Sequence, residues 1–167
     1  MLFLFLFFRC VSFETVAAEK ETLNVLFLGN SYTARHNLAT VVKAMAEAGN
    51  PDLTFNPTAV IYGGRRLGDH WALGTQNIVK RHSLAATEQK ATIASLEKAA
   101  RDSNNRYANA ALSRHRKLLA ELDWGRTKWD VVVLQSYRDD LGDDESLYAQ
   151  FAPKFTALAK AQGARVI

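Results

Sequence analysis

The sequence contains almost no cysteine, and this absence excludes several kinds of site. Cys10 is the only cysteine among the 167 residues. A single cysteine forms no disulfide within the chain and provides no thiolate cluster for structural zinc. The histidines and carboxylates show no paired spacing for a metal either. We therefore expect a protein without a metal or any other cofactor.

Phosphate-binding motifs are also missing. No P-loop pattern occurs, and Gly29 is not followed by the spaced glycines of a dinucleotide fingerprint. Lys and Arg outnumber Asp and Glu by 21 to 17, but they are scattered and do not alternate with aromatic residues in a dense run. We therefore expect no nucleic-acid partner, and a small nucleotide-binding domain is disfavoured.

No apolar run is long enough to span a bilayer. The run at residues 2–8 is too short for a membrane helix. Small residues at 16–18 then precede a polar stretch, which is typical of a signal peptide, although no basic residue precedes the run. We interpret residues 1–18 as a signal peptide and residues 19–167 as an exported domain, periplasmic or extracellular, with no stable membrane anchor. The alternative is a buried first strand.

Short apolar segments alternate with helical patterns along the rest of the chain. Residues 23–28, 58–62, 129–134 and 164–167 read as strands. One helix is predicted at residues 37–48, capped by Asn37, and another at about 143–162, capped by Asp143. This order favours an α/β fold with a mostly parallel sheet.

Residues 76–128 are predicted to form a helical insertion in this α/β pattern. Apolar residues there recur at helical spacing, and polar residues at 103–105 break the pattern. We expect two or three helices that pack as a lid or flank, with His115 packed on an apolar helix face. The last predicted strand stops while still apolar at Ile167, so we expect the fold to be incomplete at its C-terminus.

Polar residues follow three of the predicted strands, where ligands gather in parallel α/β sheets. Ser31 follows the first strand, Gly63 and Gly64 follow the second, and Gln135 follows the third. A hydroxyl, free backbone N–H groups and a side-chain amide are the parts that acyl transfer needs. Each residue alone is more typical of an ordinary turn, cap or loop contact than of a catalytic site.

The order of these segments resembles the SGNH/GDSL-like serine hydrolase superfamily. Residues 25–33 (VLFLGNSYT) are similar to its first block, and residues 62–71 to its second. Residues 129–135 resemble the third block of the branch that carries Leu-Gln. The resemblance extends over residues 23–167 and implies a three-layer sandwich of the flavodoxin-like SGNH type.

The resemblance also implies roles for individual residues. Ser31 would be the nucleophile, and its own N–H would be one oxyanion donor. Gly64, or the neighbouring Gly63, would supply a second N–H, and the amide of Gln135 a third. Asn30 stands where the family has an aspartate, and Gln135 replaces an asparagine with a side chain one methylene longer.

The family takes its base from a late Asp-x-x-His, a spacing that this sequence does not contain. Among the four histidines, only His70 is expected near the site, as the base, as a substrate contact or as a plain surface residue. The candidate substrate-binding residues are Asn30, Arg65 and His70. The arginines that flank the predicted site favour an anionic substrate; these are Arg35, Arg65 and Arg66.

Taken together, these features predict an exported, esterase-like or acetylesterase-like hydrolase that acts through an acyl-enzyme on Ser31. Carbohydrate esters and small-molecule esters are the candidate substrates. The alternative is a non-catalytic glycan- or ligand-binding module on the same fold. The sequence leaves the ester and the oligomeric state open.

Overall fold

A four-stranded sheet organises the computed structural model of the protein, which describes residues 20–122, 127–137 and 146–167. The strands are β1 (Glu21–Gly29), β2 (Leu53–Ile61), β3 (Val131–Leu134) and β4 (Arg165–Val166). They lie in the order β2-β1-β3-β4, and every neighbouring pair is parallel. The predicted α/β class with a parallel sheet is confirmed.

The central strand β1 is apolar because both of its faces are covered. Val25 and Phe27 point to one face, and Leu26 and Leu28 point to the other. All four are buried, as expected for an inner strand of a parallel sheet. This double burial explains why the strand appears in the sequence as a continuous apolar run and not as an alternating pattern.

Strand β2 begins earlier than the sequence predicted. Residues 53–57 were expected outside the strand, yet they pair with β1, with Pro57 opposite Val25. Within the described residues β2 pairs with β1 alone, so it is an edge strand. A proline, which has no N–H to donate to a ladder, is tolerated at such an edge.

Helices connect the strands and cover both faces of the sheet. They are α1 (Ser31–Ala34), α2 (Leu38–Gly49), α3 (Leu67–Ala72), α4 (Thr75–Val79), α5 (Ala86–Ala99), α6 (Arg106–Glu121) and α7 (Leu147–Ala161). Helix α2 packs through Ala39, Val42 and Ala46 on the face that Val25 and Phe27 line. Helices α5, α6 and α7 contribute to the larger core on the opposite face.

The predicted helices are present, with differences at their caps. Helix α2 follows Asn37, but the Asn37 side chain makes no capping hydrogen bond because its backbone is left-handed, at φ 55°. Helix α7 is capped by the Ser146 hydroxyl, which accepts the N–H of Ala149, while Asp143 lies outside the described residues. The break predicted at residues 103–105 separates α5 from α6 and ends at Asn105, the cap of α6.

The predicted signal peptide, residues 1–18, lies outside the described part of the chain. Among the helices that the structure describes, none combines the length and the apolar character needed to cross a membrane.

Candidate active site

Ser31 lies directly beyond the carboxyl end of β1, at the start of α1. The sheet order places β1 between β2 and β3, so the connections leave β1 and β3 toward opposite sides and open a crevice at their carboxyl ends. The Ser31 side chain is exposed, and its hydroxyl makes no hydrogen bond among the described residues. A free hydroxyl therefore lies where ligands bind in sheets of this kind.

Asn30 joins the three loops that the sequence singled out. Its side-chain oxygen accepts the N–H of Tyr32 at 3.1 Å and caps α1. Its side-chain amide donates to the carbonyl of Arg65 at 3.0 Å, and its backbone N–H donates to Oε1 of Gln135 at 3.2 Å. The residue is fully buried. Asn30 thus links the loops instead of presenting the exposed polar atoms that a substrate contact requires.

Gln135 organises the loop that carries Ser31. Its Oε1 accepts from the Asn30 backbone and from the Thr33 hydroxyl, the latter at 2.9 Å. Because a backbone N–H can only donate, the atom that faces Asn30 is the oxygen and not the nitrogen. The Nε2 group donates to the carbonyl of Ser136. The structure therefore brings Gln135 to the site, and its role as an oxyanion donor stays a prediction.

The serine loop is packed so closely that only glycine fits before it. A Cβ at Gly29 would lie 2.1 Å from Oγ1 of Thr33 and 2.9 Å from Oε1 of Gln135. Contacts this short force atoms to move. The absence of a side chain at Gly29 lets Thr33 and Gln135 meet behind Ser31.

Gly64 lies in the loop after β2, as predicted. Its φ of +70° is in the left-handed region that favours glycine, and no heavy atom approaches the place of a Cβ. Within the described residues its backbone N–H has no acceptor. The carbonyl of the preceding Gly63 accepts the hydroxyl of Tyr107 at 2.5 Å. Gly64 therefore has an unused donor, and Gly63 is anchored by a side chain of α6.

His70 is buried below the end of β1 instead of facing the serine hydroxyl. Its Nε2 lies 2.9 Å from the carbonyl oxygen of Gly29, and its Nδ1 lies 3.3 Å from Oγ1 of Thr75. A carbonyl oxygen only accepts, so Nε2 carries the proton and Nδ1 accepts from the threonine hydroxyl. Both nitrogens are occupied, so in this arrangement His70 neither takes the proton of Ser31 nor contacts substrate.

Burial sets the charge of this histidine. Loss of hydration lowers the pKa of His70 to about 4, although the bond to Gly29 and the nearby Asp69 carboxylate act in the opposite direction. His115 is similarly buried, with Nε2 donating to Leu73 and Nδ1 accepting from Gln89. Its packing on α6 is as predicted, and burial also lowers its pKa. Both imidazoles are neutral structural groups at neutral pH.

Three tyrosines near the site were not singled out in the sequence. Tyr32 and Tyr137 stack with ring centroids 5.6 Å apart, beside Ser31 and Gln135 respectively. Their positions next to polar strand ends could have indicated this pairing. Tyr107 carried no local signal, because it meets Gly63 across 44 residues of sequence.

Within the residues that the structure describes, no group of three His, Cys, Asp or Glu side chains could hold a metal ion. Comparison with known proteins gave no match among family models, curated proteins or solved structures. A functional assignment therefore depends on the geometry of the site and on the resemblance of its three sequence segments.

Proposed function

We propose that the protein is an exported serine ester hydrolase of the SGNH type, with carbohydrate esters as its substrates. Ser31 is the nucleophile in this proposal. The backbone N–H groups of Ser31 and Gly64 stabilise the oxyanion, and the amide of Gln135 does so if it turns from its present acceptor. The finer architecture, a three-layer sandwich with flavodoxin-like topology, is part of the same proposal.

One observation carries the proposal: three loops that are far apart in sequence meet around Asn30, next to an exposed serine. The Asn30 contacts reach Arg65 over 35 residues and Gln135 over 105 residues. A turn serine without catalytic function needs no such junction. A nucleophile does need one, because its oxyanion donors come from separate loops and have to be held in place before the reaction.

The proposed reaction has two steps. The Ser31 oxygen attacks the acyl carbon while a base takes its proton, and the alcohol leaves with that proton. Water then attacks the acyl-enzyme, the acid is released, and Ser31 regains its hydrogen. His70 is not available for this role, so the proposal takes its base from the Asp-x-x-His that the resemblance implies, a spacing that these 167 residues do not contain.

The experiment measures acetate release from acetylated oligosaccharides by the native protein, as expressed from its own gene. Ser31→Ala is expected to lower kcat by a factor on the order of 10⁴ or more, because a nucleophile and its base act as a unit. Ser113→Ala is the matched control, since Ser113 is an exposed serine on α6. Equal turnover by the wild type and by Ser31→Ala would refute the proposal.

A second candidate is a glycan-binding module without turnover. The observation that favours it is the environment of Ser31, whose hydroxyl has no partner within the described residues. The stacked Tyr32 and Tyr137 would then serve as a platform for sugar rings, with Tyr32 46% exposed. This candidate predicts saturable glycan binding without release of acetate, and binding that does not change in Ser31→Ala.

A further inference from the structure

A polar groove borders the loop after β2. Its volume is about 410 Å³, and one wall belongs to the loop after β2 while the other belongs to the connection between α5 and α6 and to the start of α6. We call it the Arg65–Tyr107 groove. It is lined by Arg65, Asp102, Asn104, Asn105, Arg106 and Tyr107.

Two guanidinium groups meet at the ring of Tyr107. The guanidinium carbon of Arg65 lies 4.5 Å from the ring centroid, and that of Arg106 lies 4.9 Å from it. Nη2 of Arg106 also donates to the Tyr107 hydroxyl at 2.9 Å. This bond, with a further contribution from Arg65, lowers the pKa of the Tyr107 phenol. The positive fields of both arginines therefore converge on one wall of the groove.

These arginines are weakly neutralised. Among the described residues Arg106 forms no ion pair, and Arg65 approaches Asp69 only at 4.0 Å and in partial contact with solvent. The Arg65 Nε is buried without a hydrogen-bond partner. An unpaired buried donor is costly unless a ligand or water accepts from it.

Each of the two carboxylates near the groove accepts a backbone N–H. Asp102 accepts the backbone N–H of Asn104 through Oδ1, and Asp69 accepts the backbone N–H of Arg66 through Oδ2. Asn105 uses its side-chain oxygen to cap α6, so its amide N–H groups are left as donors. The groove therefore carries more hydrogen-bond donors than acceptors and an excess of positive charge.

The groove is connected to the candidate catalytic loop through two hydrogen bonds. Tyr107 donates to the carbonyl of Gly63, next to the proposed oxyanion donor Gly64. The carbonyl of Arg65 accepts from Asn30, next to Ser31. The groove therefore shares the loop after β2 with the proposed oxyanion donor Gly64.

We propose that the Arg65–Tyr107 groove binds an anionic sugar substituent, a carboxylate or a sulfate, of the carbohydrate ester that Ser31 cleaves. The position of the ester at Ser31 rests on the proposed function. The negative charge of the substituent is inferred from the residues of the groove alone. Guanidinium groups bind such oxyanions through paired, charge-assisted hydrogen bonds. The proposal narrows the substrate class from carbohydrate esters to acidic carbohydrate esters.

The test is calorimetric titration of the native protein with trigalacturonate, at low ionic strength. Galactotriose is the neutral probe, because it has no ester that the protein could cleave, and a sulfated galactose trisaccharide distinguishes sulfate from carboxylate. We expect one of the two anionic probes to bind at least about tenfold more tightly than galactotriose, which is the gain from one charge-assisted contact. We also expect added salt to weaken that binding.

Arg106→Gln should weaken binding of the anionic probe about tenfold, because it removes a charged donor from the groove. Arg106 is exposed, so its replacement leaves the fold intact. Arg116→Gln is the control, since Arg116 lies on the same helix, is 60% exposed and pairs with Glu97. Equal binding of charged and neutral probes, or equal losses in both variants, would overturn the inference. Calorimetry measures binding without turnover, whereas acetate release measures hydrolysis. The two assays therefore distinguish a failure of this inference from a failure of the hydrolase proposal.

Discussion

Acidification should destabilise the protein through His70. Its pKa in the folded protein is about 4, whereas an unfolded histidine titrates near 6.5. Between these two values the unfolded chain binds a proton that the folded protein excludes. The contribution of neutral His70 to the free energy of unfolding is therefore fully present above about pH 6.5 and declines as the pH falls through this window.

The magnitude follows from the difference between the two pKa values. One pH unit within the window corresponds to about 1.4 kcal/mol, so the full loss is about 3 kcal/mol below pH 4 and about 2 kcal/mol at pH 5. His115 adds to the loss with the same sign, because burial lowers its pKa as well. The pKa values of Glu47 and Glu88 lie below the usual 4.5, so protonation of those carboxylates changes the free energy of unfolding mostly below this pH window.

Urea unfolding at a series of pH values from about 7.5 to about 5 measures this loss as a change in the free energy of unfolding. His70→Gln cannot titrate, so its stability should fall by about 2 kcal/mol less than that of the wild type over the same range. His36→Gln is the control, because His36 is exposed and His70 is retained. If His70→Gln and the wild type show the same pH dependence, the imidazole is not the buried neutral group described above.

Two further predictions concern the loops around Ser31. Gly29→Ala should lower the free energy of unfolding by about 3 kcal/mol, because the new Cβ overlaps Thr33 and Gln135. Gly49→Ala is the control and should raise the free energy of unfolding by about 0.5 kcal/mol, since its Cβ meets no atom within 4 Å. Urea unfolding compares the two variants, and equal effects would contradict the close packing at Gly29. Tyr107→Phe removes the hydrogen bond to Gly63, next to the proposed oxyanion donor Gly64, and should lower kcat for ester hydrolysis about fivefold to tenfold. The rate at saturating substrate measures this loss, and a kcat equal to that of the wild type would contradict a positioning role for this bond.

The inner strands were predictable because burial on both faces requires a continuous run of apolar residues, which is visible in the sequence. Residues 25–28 and 131–134 are apolar on both faces, so their sequence identifies them without tertiary information. The first half of β2 was missed because Pro57 and Asn56 are unfavourable within a strand, and only the position of β2 at the sheet edge makes them acceptable.

The site was predictable in its parts but not in its connections. The positions of Ser31, Gly64 and Gln135 at strand ends follow from the order of the segments. The burial of His70 does not, because it depends on a contact with Gly29 across 41 residues. The junction at Asn30 is similar: its cap of α1 is local, while its bonds to Arg65 and Gln135 exist only in the folded chain.

The most direct test of the account is to locate the adduct of a fluorophosphonate on the native protein. Trypsin cleaves after Lys20 and Arg35, and in the resulting peptide Ser31 is the only serine. We predict that mass spectrometry finds one phosphonylated peptide, residues 21–35, modified at Ser31 and lost in Ser31→Ala. An adduct on another peptide, or none on a protein that hydrolyses esters, would contradict the assignment of Ser31 as the nucleophile.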